Sequence, residues 1–247
     1  MGYDAELIEA RATLRLSGET AAGFLKQLGA LTPILIFPFP GATLGKRPGF
    51  QLTVMDHKYW FAKLYELVSY QEISYALTTA YPGFTLHFMK VFYLMYYNAL
   101  QNFMKKSGTV STLWSTSFTG PPADSHGDLP EPDSMEAIKF CVRTGAIAHI
   151  QGDMSIALVT GYKTWAVNPK PAFQELRSEF IDKSESAFMR AQAAFYLDVN
   201  DKTFSPVRPE VGQLGAAYYQ AIMNIQPSMP VMFQWRRDAW QKAADQL

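Results

Sequence analysis

FTLHFMKVFYLMYYNALQNFM, residues 84–104, is the most apolar stretch of the chain. Aromatic and aliphatic residues recur on every side of it, and His87, Lys90 and Asn98 interrupt it. A helix that is apolar nearly all round belongs in the middle of a body, covered by other elements. Its charge-free part, residues 91–104, is about 14 residues long, short of the roughly 20 that a spanning helix needs. The stretch therefore predicts a central buried helix over residues 85–106 and no transmembrane segment. Lys105 and Lys106 close it, where cations suit the negative pole of the helix dipole.

The flanks read as helices too. Asp56 can cap a helix that starts near His57, and Trp60, Leu64, Leu67, Val68, Gln71 and Ser74 continue it toward Thr79. Tyr81-Pro82-Gly83 then breaks the pattern. On the other side, residues 107–133 show no clear period and contain Pro121, Pro122, Pro130 and Pro132. A loop this long inside a domain is usually functional or mobile, so it is either a lid over a pocket or a passively docked loop. Trp114 and Phe118 would anchor it. Asp133 with Glu136 resembles a capping box, and a long helix follows to about Gly161. Phe173, Leu176, Phe180, Ala187, Ala191 and Phe195 mark another amphipathic helix. Further helices are expected over residues 4–16, 19–28, 210–225 and 231–244. Residues 31–50 carry four prolines and read as an extended segment, and residues 198–209 as a turn-rich break. Alternating β patterns are nearly absent. The expected fold is all-α, one helical domain over residues 1–247 with about seven to eight helices.

Composition narrows the function. The chain has 247 residues, with 22 basic and 22 acidic ones, 48% apolar, 14% aromatic and 18% charged. Disorder needs low hydrophobicity and high net charge, and neither is present. A net charge of zero gives no general grip on phosphate backbones, so no nucleic-acid partner is expected. The single cysteine, Cys141, excludes a disulfide scaffold. It falls two turns before His149 without a clear base partner and reads as a buried thiol. Residues 1–10 lack the basic and apolar regions of a secretory signal, and Glu6 stands where a myristoylation signal needs Ser or Thr. A cytoplasmic protein, free to form a homodimer, is the expectation. No P-loop, dinucleotide fingerprint, GxSxG elbow or CxxC pair occurs, which argues against nucleotide cofactors and serine-hydrolase chemistry.

One constellation carries chemistry. Gly145-Ala-Ile-Ala-His149-Ile-Gln-Gly152-Asp153 lies in the long helix after residue 134. A histidine and an aspartate four apart share a helix face. Gly145 and Gly152, at −4 and +3 from His149, are expected on that same face. Glycine weakens a helix interior by about 1 kcal/mol relative to alanine, so two of them suggest a close approach by a neighbouring helix, a metal or a ligand. His149 and Asp153 can bind one divalent metal, zinc or iron. Alternatively Asp153 orients His149 as a general acid or base. The third reading is a mutually satisfied structural pair.

Ala148-His149-Ile150-Gln151-Gly152-Asp153-Met154, followed by Ala157-Leu158, resembles the Ala-His-Ile-x-x-Asp helix of a large family of uncharacterised all-helical proteins. That resemblance implies a helical fold and no particular activity. The same His-x-x-x-Asp in its Gly-Asp context is similar to zinc-dependent phospholipase C and the S1/P1-type nucleases, where both residues bind zinc. The resemblance implies that His149 and Asp153 are metal ligands. Those enzymes hold three zincs and use an N-terminal tryptophan, whereas this chain begins Met-Gly-Tyr and has only His57, His87, His126 and His149. A one-metal site would be completed by His57 or His87, with Asp56 or Asp128 as helpers.

Three functions follow. The preferred one is a cofactor-independent cyclase or isomerase, pericyclic chemistry of natural-product biosynthesis included. It would hold an apolar substrate between helices and fold it into a reactive pose. His149, Asp153, His87 and Tyr97 would supply its polar groups. Trp60, Phe88, Tyr93, Trp114, Phe118, Gly145 and Gly152 would form its substrate wall. The alternatives are a metal-dependent phosphoesterase of the phospholipase C type, and a non-catalytic binding protein.

Overall fold

The apolar centre of the sequence is a helix in the computed structural model, which describes residues 52, 56–76, 78–132, 134–200 and 229–247. The expected helices over 4–16, 19–28 and 210–225 and the extended segment over 31–50 lie outside the described residues. So does the break expected over 198–209, except for its first residues, which still belong to a helix.

α1 (Lys58–Ala76) starts where the Asp56 carboxylate accepts from the Lys58 amide at 3.0 Å, as a capping aspartate should. It stops at Ala76, three residues before Thr79, because the Thr78 and Thr79 hydroxyls donate to the carbonyls of Tyr75 and Ala76. Pro82 then opens the next helix rather than only ending the last. Its missing N–H costs nothing at a helix start. α2 (Pro82–Lys105) is the central helix, with Phe84, Phe88, Phe92, Tyr96 and Leu100 buried along it. It ends at Lys106, which takes the left-handed conformation at φ 52°.

The segment over 107–133 is not a bare loop. It contains α3 (Thr112–Thr119), capped by the Ser111 hydroxyl, with Trp114 and Phe118 buried and their rings stacked 5.0 Å apart. A helix this short shows no clear period amid so many prolines.

The long helix begins one residue later than the apparent capping box. Ser134 is the N-cap, and its hydroxyl accepts from Ala137 N. The rod runs as α4 (Met135–Ala146), a π-helical stretch (Ile147–Asp153) and α5 (Met154–Thr164). The expected helix over 173–195 divides into a 3₁₀ turn (Phe173–Leu176), a π turn (Ser178–Asp182) and α6 (Glu185–Asn200). The physical cause is at Phe180, whose carbonyl accepts from the Ser184 hydroxyl at 2.7 Å and from the Arg236 guanidinium at 2.9 Å. Those donors replace the regular backbone ladder there. α7 (Met229–Ala244) closes the described chain.

The described residues are all-α, and none of their helices is long and apolar enough to cross a membrane. α1 packs on α6, α2 on α5, and α7 on α5 and the π stretch. Gly161 brings α5 close to α2, since a β-carbon there would sit 3.4 Å from Phe88 Cα. The core between them is aromatic, and Trp60, Trp114, Trp240 and Tyr96 are each 2% exposed or less.

Candidate functional site

His149 is carried by the π stretch, a local widening that is often found at functional sites. Its side chain is enclosed by aromatic rings and only 4% exposed. The imidazole stacks on Phe92 with centroids 3.4 Å apart and planes 7° apart. Tyr65 meets it edge-on at 4.4 Å, and Phe61 and Trp114 lie at 5.8 Å.

The expected pairing with Asp153 is loose. His149 Nδ1 stands 3.9 Å from Asp153 Oδ2, beyond hydrogen-bond reach. That oxygen instead accepts from Trp114 Nε1 at 2.7 Å. Neither nitrogen of His149 has a hydrogen-bond partner among the described residues. Burial pushes the imidazole below its ordinary pKa, while the Asp153 carboxylate pulls partly the other way. His149 is therefore neutral at pH 7. A buried polar group without a partner costs about 1–3 kcal/mol, so a ligand that supplies one recovers that energy.

A cavity of about 100 Å³ opens beside it. Phe61, Tyr65, Phe88, Phe92, Phe180 and His149 form one side of its wall. Ser69 and Glu72 on α1 and Arg236 on α7 stand in the same wall. Burial raises the Glu72 carboxyl to about 7, against the opposing pull of Arg236 and Arg190. An engineered apolar cavity of roughly 150 Å³ accepts benzene, and this space is smaller, so it suits an apolar body no larger than a single ring.

Of the sequence candidates, His149 and Phe88 reach the cavity wall. Asp153, Trp60, Tyr93, Tyr97, Trp114, Phe118, Gly145 and Gly152 are not among its lining residues. Trp60 donates to the Pro132 carbonyl at 2.8 Å, and Tyr93 stacks on Tyr97. Trp114 packs beside His149 and holds Asp153, with Phe118 stacked on the indole, so α3 flanks the imidazole and is not among the cavity's lining. His87 Nε2 lies 2.8 Å from Thr164 Oγ1. That hydroxyl already donates to Thr160 O, so the imidazole is the donor. His87 is half-buried, and burial with Lys90 and Lys170 lowers its pKa. The two glycines do not share a partner. A β-carbon at Gly145 would overlap the Phe61 ring of α1, whereas at Gly152 it would meet Leu113 at 3.2 Å. The close approach at Gly145 is thus by a neighbouring helix.

The one-metal arrangement does not fit the geometry. His57 Nε2 donates to the Phe118 carbonyl at 2.8 Å, Asp56 pairs with Lys58 at 2.8 Å, and Asp128 belongs to an exposed turn with Asp124. Among the described residues no three His, Cys, Asp or Glu side chains converge to hold a metal ion. Cys141 is buried, and burial pushes its thiol up to about 12.

Sequence reasoning missed Ser69, Glu72 and Arg236. A signal existed on α1, where Tyr65, Ser69 and Glu72 follow one another at i, i+4 and i+7 in phase with Phe61 and Val68. Polar residues on a helix's core face mark either a network or a site. No family model, curated protein or solved structure matches the chain.

Proposed function

We propose that the chain is a small-molecule enzyme that needs no organic cofactor and isomerises a compact apolar substrate by proton transfer at His149. The observation that carries this reading is the buried, neutral His149, without a partner among the described residues, in a wall that is otherwise largely apolar. Neutral imidazole is the form that accepts a proton. It takes one from an activated carbon of the substrate, the C–H electron pair shifts into a neighbouring bond, and the imidazolium returns a proton to the far carbon. The formula is unchanged. The Asp153 carboxylate at 3.9 Å stabilises the transient imidazolium, and the Trp114 indole holds that carboxylate in place. The largely apolar wall disfavours water that would trap the intermediate. The cavity volume favours a proton shift in a small substrate over the folding of a long polyene.

The test is to incubate the protein in deuterated water with a panel of small arylalkenes, enones and unsaturated acids. The expected result is an isomer of the substrate, with deuterium at the migrating position to the extent that the imidazolium exchanges with solvent before it returns its proton, and a rate lower by at least an order of magnitude in His149→Phe. Compounds that bind but are recovered unisomerised would make this a binding protein and overturn the catalytic reading.

A further inference from the structure

The cavity has a second polar end, made by Ser69, Glu72 and Arg236. Arg236 is 3% exposed. Its Nη2 donates to the Phe180 carbonyl at 2.9 Å and to Ser184 Oγ at 2.8 Å, and its Nη1 stands 3.5 Å from Glu72 Oε1. Among the described residues its Nε has no partner, nor has Ser69 Oγ, which is fully buried. The guanidinium lies 3.9 Å over the Phe188 ring, itself part of the wall. A buried cation that keeps a donor unused and meets the Glu72 carboxyl only at 3.5 Å is under-compensated.

We propose that the ligand of this cavity is a small carboxylic acid, its apolar body against Phe61, Phe88 and Phe92 and its carboxylate at Ser69, Glu72 and Arg236. The carboxylate accepts from Arg236 Nε, from Ser69 Oγ and from a protonated Glu72, a charge-assisted set that meets the open donors at once. This rests on reading the cavity as a small-molecule site, and it adds the class of molecule. It also couples binding to protons. Glu72 faces Arg236 from α7 and Arg190 from α6, with Tyr75 on its own helix, while Glu185 acts on Arg236. Without ligand, the Glu72 carboxyl titrates at about 7. An arriving carboxylate repels the ionised form, so binding takes up a proton from solvent just above that pH.

The experiment is calorimetry on the full chain with 3-phenylpropanoate and its neutral counterpart 3-phenylpropan-1-ol, slightly above the Glu72 midpoint, in two buffers of different ionisation enthalpy. The expected result is that the acid binds about tenfold tighter than the alcohol or better, with net proton uptake. Arg236→Met should abolish the preference and keep alcohol binding. Glu72→Gln, which keeps an N–H donor, should keep the preference and abolish the uptake, which holds the test open if the arginine variant fails to fold. Equal affinity for acid and alcohol overturns the carboxylate assignment and leaves the cavity reading standing. If neither compound binds, the cavity reading falls as well.

Discussion

The imidazole of His149 lies flat on the ring of Phe92, 3.4 Å between centroids and 7° between planes. That face-on contact keeps water from one whole side of the imidazole and contributes to the desolvation that lowers its pKa. Phe92→Leu removes the ring and admits solvent. Its expected effect is a rise of the His149 pKa toward 6.5, read from the ring-proton shifts by NMR titration. The stability cost should be about 1 kcal/mol, since the swap keeps most of the volume.

Trp114 and Asp153 form the other support. The indole N–H to carboxylate bond is 2.7 Å long, and the Asp153 side chain is only 13% exposed. Trp114→Phe deletes the donor and leaves a mostly buried carboxylate short of a partner. A loss of about 2 kcal/mol is expected in urea unfolding. The freed carboxylate can close the 3.9 Å gap to His149 Nδ1, so the His149 pKa should rise in this variant too. An unchanged pKa together with unchanged stability would show that the indole does not position Asp153.

Gly145 is where α4 touches α1. In an open helix, Gly→Ala stabilises by up to about 1 kcal/mol. Here the new β-carbon overlaps Phe61, which also lines the cavity. Gly145→Ala should therefore destabilise by about 1–3 kcal/mol and change ligand affinity. Phe61→Ala removes the Cγ and Cδ2 that the new β-carbon meets first, so the double variant should lose less stability than the two single variants added together. A double-mutant cycle checks the coupling.

The central helix was legible because an all-round apolar pattern has one physical meaning, burial. His149 was legible because a histidine four residues before an aspartate, flanked by Gly145 and Gly152, stands out in an otherwise apolar helix. Its partner was not. An α-helical rod sets His149 and Asp153 side by side, but the chain widens into a π turn at that point, and Trp114, 39 residues away in sequence, takes the carboxylate. The Glu72–Arg236 contact spans 164 residues, and nothing in local spacing announces it. The segment over 107–133 is obscure for a related reason. Trp114 and Phe118 are anchors, as their size suggests, but what they anchor is a short helix, with Trp114 against His149 and Phe118 stacked on Trp114.

Cys141 offers a check on the rigidity of this core. Its thiol is buried and pushed up to about 12, so almost no thiolate exists at neutral pH. A disulfide reagent should leave the native protein unlabelled on a short exposure and react fully in denaturant. Slow labelling in native buffer should follow the rate of opening rather than reagent concentration. Fast, concentration-dependent labelling would mean that α4 opens locally far more often than its packing implies.

Glu72 gives the sharpest dependence on pH. Its folded carboxyl sits at about 7 against an ordinary 4.5, so between those values the folded state holds a proton that the unfolded state has released. Stability from this group is full below 4.5 and is lost as pH rises through about 7. His149 slopes the other way. Its lowered pKa means that the unfolded state binds the extra proton, so its contribution falls as pH drops below 6.5. The two partly cancel in the wild type, and Glu72→Gln separates them. Relative to wild type, the variant should gain stability steadily from pH 4.5 to about 7 and hold that gain above it, in urea unfolding followed across the window. A difference that stays flat from end to end would mean that Glu72 is ionised in the folded protein throughout. Arg236 would then already have its counter-ion, and a ligand carboxylate would find no vacancy beside it.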